Sequence, residues 1–153
     1  MKIEGLLKPE DIIPALSAHD KEEVLHELAA KAAGRNSGLD GQEVFRILME
    51  RERLGSTGIG DGIAIPHGKL KRINGPMMIV GRSPAGIPFN SLDDRPVHIF
   101  FLLIAPEEAV GVHLKMLARI SRILKDPAVR RGLMEAAGAD EIHAVILKQD
   151  SRY

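Results

Sequence analysis

The residues Ile99–Ala105, IFFLLIA, form the longest unbroken apolar run in the chain. The run is far too short to span a bilayer as a helix. It is also too uniformly apolar for a strand with one face in water, since such a strand alternates apolar and polar residues. A run of this kind, here Val97–Ile104 opened by Pro96, is expected as a strand buried on both faces, which requires a layer of structure on each side. A second run, Met77–Gly81, follows the turn residues Asn74-Gly75-Pro76 and reads as another buried strand. Between the two, Ser83–Asp94 is rich in turn residues. The spacing predicts helices before and after these strands, so the expected class is α/β, with a mixed central β-sheet flanked by helices on both faces. At 153 residues, with no internal repeat or linker, the chain is expected to be a single domain over 1–153.

The first helix is signalled by Asp20 with Glu23 three residues on, a capping-box-like start, followed by Val24, Leu25, Leu28, Ala29 and Ala32 up to Gly34. Asp40 caps a second helix with Val44, Ile47, Leu48 and Leu54 on its expected buried face and Gly55 at its end. A third is expected to start at Pro106-Glu107-Glu108, with Leu114, Leu117, Ala118, Ser121 and Leu124 as its apolar stripe. Asp126-Pro127 places an N-cap before a proline at the first helical position, and Asp140 opens a last helix, Glu141–Gln149. Arg130 and Arg131 read as a solvated face.

Lysine plus arginine and aspartate plus glutamate both number 21, so the formal net charge is zero and the electrostatic footprint of a nucleic-acid binder is missing. The absence of cysteine removes disulfides, thiolate nucleophiles and cysteine metal sites. The six histidines lack the pairing that marks a zinc site, so no metal is expected. The N-terminus, MKIEGLLKPEDII, acquires charge and proline too early for a secretory signal, and a cytoplasmic protein without membrane insertion is expected.

Chemistry is concentrated in Gly55–Lys69, GSTGIGDGIAIPHGK, where five glycines surround one histidine, His67. Pro66 stiffens the approach and pushes Ile65 toward an extended conformation, so His67 is expected at a rigid strand end. The string is not a Walker A loop: five residues separate Gly62 from Gly68, and Lys69 is followed by Leu70. Nor is it a dinucleotide fingerprint, because isoleucine stands where the third glycine belongs. An isolated histidine is most often an ordinary strand residue, but a loop so dense in glycine is more often functional. An arginine, Arg51 or Arg53, leaves the second helix just before this loop, and His113 stands near the start of the helix after the apolar strand, where open α/β sheets form their binding crevices.

With Arg51, the GSTGIG…GIAIPHGK string and His113-Leu114-Lys115 together, the sequence resembles the enzyme IIA domains of the fructose/mannitol class of the bacterial phosphotransferase system, most closely the nitrogen-related regulatory members. The resemblance implies that His67 accepts a phosphoryl group from a histidine-phosphorylated carrier protein of the HPr kind, that His113 and Arg51 are the other catalytic residues, and that no cofactor takes part. Ser56, Thr57 and Gly68 are then the expected phosphate-binding residues, through hydroxyls and loop amides. Asp61 departs from the family pattern, putting a negative charge where many relatives carry an uncharged residue. Two destinations for the phosphoryl group remain open. One is a regulatory role read by target proteins; the other is a sugar-specific enzyme IIA that passes phosphate to a IIB domain. Because the IIB acceptor of this class is a cysteine and this chain has none, that domain would be a separate protein. A third reading, from a different class, is a module that binds an anion without covalent chemistry.

Overall fold

The computed structural model describes residues 2–153. After a 3-10 turn at Pro9–Asp11, the elements are β1 (Ile12–Ile13), α1 (Lys21–Arg35), α2 (Gly41–Arg53), β2 (Gly58–Gly60), β3 (Ile63–Ala64), β4 (His67–Leu70), β5 (Met77–Ile87), β6 (Val97–Pro106), α3 (Val110–Leu124), α4 (Pro127–Glu135) and α5 (Ala139–Asp150). The sheet order is β1-β5-β6-β3-β2, and β4 also pairs with β6. β5 and β6 are antiparallel, whereas β1 is parallel to β5 and both β3 and β4 are parallel to β6. The sheet is therefore mixed.

β6 separates two cores. Ile99, Phe101 and Leu103 pack with Met116, Ile120, Ile142 and Ile146 from α3 and α5, while Phe100, Leu102 and Ile104 pack with Leu25, Leu28, Val44 and Leu48 from α1 and α2. Alternate side chains of one strand thus enter opposite cores, as the period-two geometry of a strand requires. Full burial of each large apolar side chain is worth about 1.5–3 kcal/mol, and this is what fixes helices to both faces.

The helix starts follow the local chemistry. Asp20 accepts the Glu23 amide at 2.8 Å, Asp40 accepts that of Gln42 at 2.9 Å, and Asp126 accepts that of Ala128 at 2.9 Å. The Glu23 carboxylate takes the amide of His19 rather than that of the capping residue, so only half of the capping box is formed.

Several expectations are corrected. β5 does not stop at Gly81 but continues through Ser83-Pro84-Ala85-Gly86 to Ile87, with a register irregularity between Arg82 and Ile87 that accommodates the proline. β6 runs on to Pro106, so α3 begins at Val110. The buried stripe of α3 is His113, Met116, Ile120, Ile123 and Leu124, and Leu114 is 60% exposed. Leu54 is 84% exposed rather than buried. Arg130 is not merely solvated, since its guanidinium caps the C-terminal carbonyls of α3 at Leu124 and Lys125, 2.8 and 2.9 Å away. Among the described residues no helix is long and apolar enough to cross a membrane.

Candidate active site

The glycine string, expected as a loop delivering His67 to the end of a strand, is instead three short strands, and His67 is the first residue of β4. β3 and β4 lie along the same edge of β6 in one continuous register, Ile63 and Ala64 opposite Ile99 and Phe100, then His67 opposite Leu103. Ile65 and Pro66 interrupt the pairing because proline has no amide hydrogen to contribute. The Pro66 carbonyl still accepts the Leu103 amide at 2.9 Å, so the break leaves His67 in register.

The break also frees the Ile65 carbonyl for the histidine ring. His67 Nδ1 lies 2.7 Å from Ile65 O, and a carbonyl can only accept, so Nδ1 carries the proton. Nε2 is then an unprotonated lone pair, and it accepts the Nε–H of Arg51 at 3.2 Å. The same guanidinium donates through Nη1 to Gly55 O at 2.9 Å, which ties the end of α2 to the start of the glycine string. Burial holds the His67 pKa below its ordinary value against the opposing Ile65 hydrogen bond, and the neighbouring Arg51 charge pushes it the same way as burial. His67 is neutral at pH 7.

His113 comes from α3, on the other side of the sheet from α2. Its ring centre is 5.3 Å from that of His67, and it is only 4% exposed. Burial, with smaller contributions from His67 and Lys69, lowers its pKa to about 4. Its Nδ1 is buried without a hydrogen-bond partner. Arg51, His67, Gly68 and His113, with Lys69 and the apolar Ile47, Leu54, Leu114 and Leu117, line one cavity of about 440 Å³. Leu54 and Leu114 are exposed because they form its rim, against the apolar pattern of their helices.

Two of the expected phosphate ligands are placed elsewhere. Thr57 is 3% exposed, and its hydroxyl donates to Glu52, whose carboxylate also accepts the Thr57 amide and pairs with Lys21 Nζ at 2.9 Å. The Ser56 hydroxyl donates to Phe89 O at 3.1 Å and accepts the Gly58 amide at 3.0 Å. Neither residue lines the cavity; both hold the glycine string in place. Gly68 does line it, and a Cβ there would meet Ile47 Cγ2 at 2.5 Å, so glycine is what lets α2 lie against β4. Asp61, at φ 57° in the turn between β2 and β3, borders a separate cavity with Arg95, His98 and Arg130. Its charge is outside the His67 cavity. Neither Glu52 nor Lys69 stands out in the sequence. The first was hidden inside a charged helix end, and the second was readable only as part of the rejected Walker pattern.

Residues 5–149 match the family model described as phosphoenolpyruvate-dependent sugar phosphotransferase system, EIIA 2. A nitrogen regulatory protein of Bradyrhizobium diazoefficiens is 44% identical over 146 residues, 95% of each chain. The fructose-specific EIIABC component of Bacillus subtilis is 36% identical over 98% of this chain but 24% of its own length. The crystal structure of the nitrogen regulatory protein IIA-Ntr from Neisseria meningitidis superposes with a TM-score of 0.88 at 31% identity, covering 94% of this chain and 98% of that one.

Proposed function

The chain belongs to the phosphoenolpyruvate-dependent sugar phosphotransferase system EIIA 2 family, and we propose that within it the chain is a regulatory phosphoryl carrier, accepting a phosphoryl group on His67 Nε2 from a histidine-phosphorylated carrier protein in the cytoplasm. The observation that carries this reading is the pair of His67 contacts, Nδ1–H to Ile65 O and Nε2 facing Arg51. A neutral imidazole with its proton held on the far nitrogen presents a nucleophile without prior deprotonation. The bond that forms is Nε2–P and the bond that breaks is the donor's N–P, whose electron pair stays on the donor ring. The His67 ring becomes cationic on attack, and the Ile65 carbonyl stabilises it through the proton on Nδ1. Arg51, which meets Nε2 in the resting site, turns its donors to the equatorial oxygens, where charge develops. His113, neutral at pH 7, faces the phosphoryl group from the opposite wall without adding a second full charge.

The test is incubation with phosphoenolpyruvate, enzyme I and the carrier protein, followed by intact mass measurement. The expected result is a gain of about 80 Da, one phosphoryl group, that is acid-labile, base-stable and lost in His67→Ala. No gain by the wild type, or an equal gain by the alanine variant, overturns the assignment. The first of these outcomes leaves the anion-binding module in its place. A second reading, a sugar-specific enzyme IIA serving a separate IIB domain, is favoured by the match of nearly the whole chain to the fructose-specific component. Rapid stoichiometric transfer from the phosphorylated chain to such a IIB domain would select it.

A further inference from the structure

Beside the His67 cavity lies a second, larger cleft of about 570 Å³ formed by Glu43, Arg46 and Ile47 of α2, the segment Lys69–Arg72 at and after the end of β4, and Glu107 after β6. The two share Ile47 and Lys69, so they are parts of one continuous surface. The segment is held in place by the Glu107 amide, which donates to Leu70 O at 2.9 Å. Arg46, Lys69, Lys71 and Arg72 are all exposed, and among the described residues none of the four forms a salt bridge, with Glu43 and Glu107 or with any other carboxylate. Four cations without a partner, on a chain whose formal net charge is zero, are a local excess of positive charge. Charge complementarity across interfaces chooses partners and speeds their encounter.

From this we infer that the cleft is a docking surface for an acidic segment of a partner protein, and that phosphorylation of His67 weakens the docking. A protein segment fits better than a nucleic acid. A nucleic-acid strand would present unbroken phosphate charge to Glu43 and Glu107, whereas a peptide can space its carboxylates to meet the cations and leave neutral residues opposite the two glutamates. The coupling follows from Lys69, which faces both cavities. A phosphoryl group brings roughly −1.5 to −2 charge, which draws on Lys69 and repels an acidic neighbour within the same screening distance. The phosphorylation arm rests on the function proposed above; the docking arm does not.

The experiment uses a fluorescein-labelled peptide of alternating glutamate and alanine, with anisotropy read at low and physiological ionic strength. The unphosphorylated protein should bind it with salt-sensitive affinity. Replacing Arg46, Lys71 and Arg72 together with serine should weaken binding roughly tenfold or more, from three lost exposed charge contacts, while phosphorylation by the carrier stays at the wild-type rate. A control removing the same charge from α3 and its C-terminal cap, by Lys115→Ser, Arg122→Ser and Lys125→Ser, should bind like wild type. Equal loss in the two triple variants, or equally tight binding of a DNA oligonucleotide, would overturn the cleft assignment. Protein whose phosphorylation is verified by mass should bind the peptide several-fold more weakly, and unchanged affinity there would refute the coupling. Failure to phosphorylate at all would count against the proposed function instead. His67→Glu, which places a fixed negative charge in the cavity, then tests the coupling without the enzymes: weaker binding sustains it and equal binding refutes it.

Discussion

At the scale of single residues the site depends on which atom holds a proton and which faces a charge. His67 keeps its proton on Nδ1 because Ile65 O is 2.7 Å away, and burial and Arg51 together keep the ring from taking a second one. The rate of phosphorylation should therefore persist to lower pH than a free imidazole allows. A pH–rate profile with its half-maximal point at or above the ordinary histidine value of about 6.5 would contradict the burial argument. Arg51 contributes geometry as well as charge, since Nε reaches His67 while Nη1 holds Gly55 O. Arg51→Lys keeps the charge and loses the planar fork. The expected cost is about 10²–10³-fold in the transfer rate, the loss typical of one transition-state donor, with little change in the apparent affinity for the carrier. Single-turnover phosphorylation at saturating carrier measures it, and a lysine variant as fast as wild type would reduce Arg51 to a diffuse electrostatic role.

At the scale of elements, the approach of α2 to β4 depends on Gly68, where an added Cβ would come within 2.5 Å of Ile47 Cγ2. Ile47 is β-branched and cannot swing clear by a simple rotamer change. Gly68→Ala should thus cost about 1–3 kcal/mol, as overpacking does, and should slow phosphorylation by moving His67 from Arg51. Adding Ile47→Ala makes room for the new methyl and should recover part of both losses. Urea titration with phosphorylation assays on the single and double variants checks this, and strictly additive losses would sink it. The same elements show what the sequence could reveal. Asp20, Asp40 and Asp126 announced their helices because capping is local. The two-faced burial of β6 was legible because, apart from His98 near its start, only apolar residues fill it. Only a strand end before His67 was legible there; β2, β4 and the pairing of all three strands were hidden because glycine and proline carry no strand signal of their own, and it is the edge of β6 that pairs β3 and β4. The α3 stripe was misread at His113 and Leu114, where the usual rule is reversed: the histidine is buried and the leucine lines the cavity rim. Such reversals are expected where a site overrides the packing pattern. Arg51, His67, Gly68 and His113 are brought together as expected, whereas the Ser56 and Thr57 hydroxyls are committed to Phe89 and Glu52 by contacts between distant or buried groups that spacing does not encode.

At the scale of the whole molecule, the site is a seam between the two cores. Arg51 arrives with the α1–α2 layer, His113 with the α3–α5 layer, and His67 from the sheet between them, so the cavity exists only when both layers are docked. The buried histidine makes that docking sensitive to acid. His113 has a folded-state pKa of about 4, below the value of about 6.5 expected of the unfolded chain, so the native state favours the neutral ring. Its contribution is fully present above pH 6.5, is lost as the pH falls toward 4, and changes no further below that. The difference corresponds to roughly 3 kcal/mol, a large fraction of the 5–15 kcal/mol by which a domain is usually stable. His67, shifted in the same direction, adds to the loss. Carboxylate protonation also destabilises the fold in acid, but equally in wild type and in His113→Gln, whose side chain does not titrate. Urea unfolding at pH 7.5 and pH 4.5 should therefore show a smaller acid penalty in the glutamine variant, by up to about 3 kcal/mol, even if that variant is less stable at neutral pH. Equal penalties in the two proteins would mean that His113 is protonated in the folded state at pH 4.5, and that the wall opposite Arg51 carries a positive charge there.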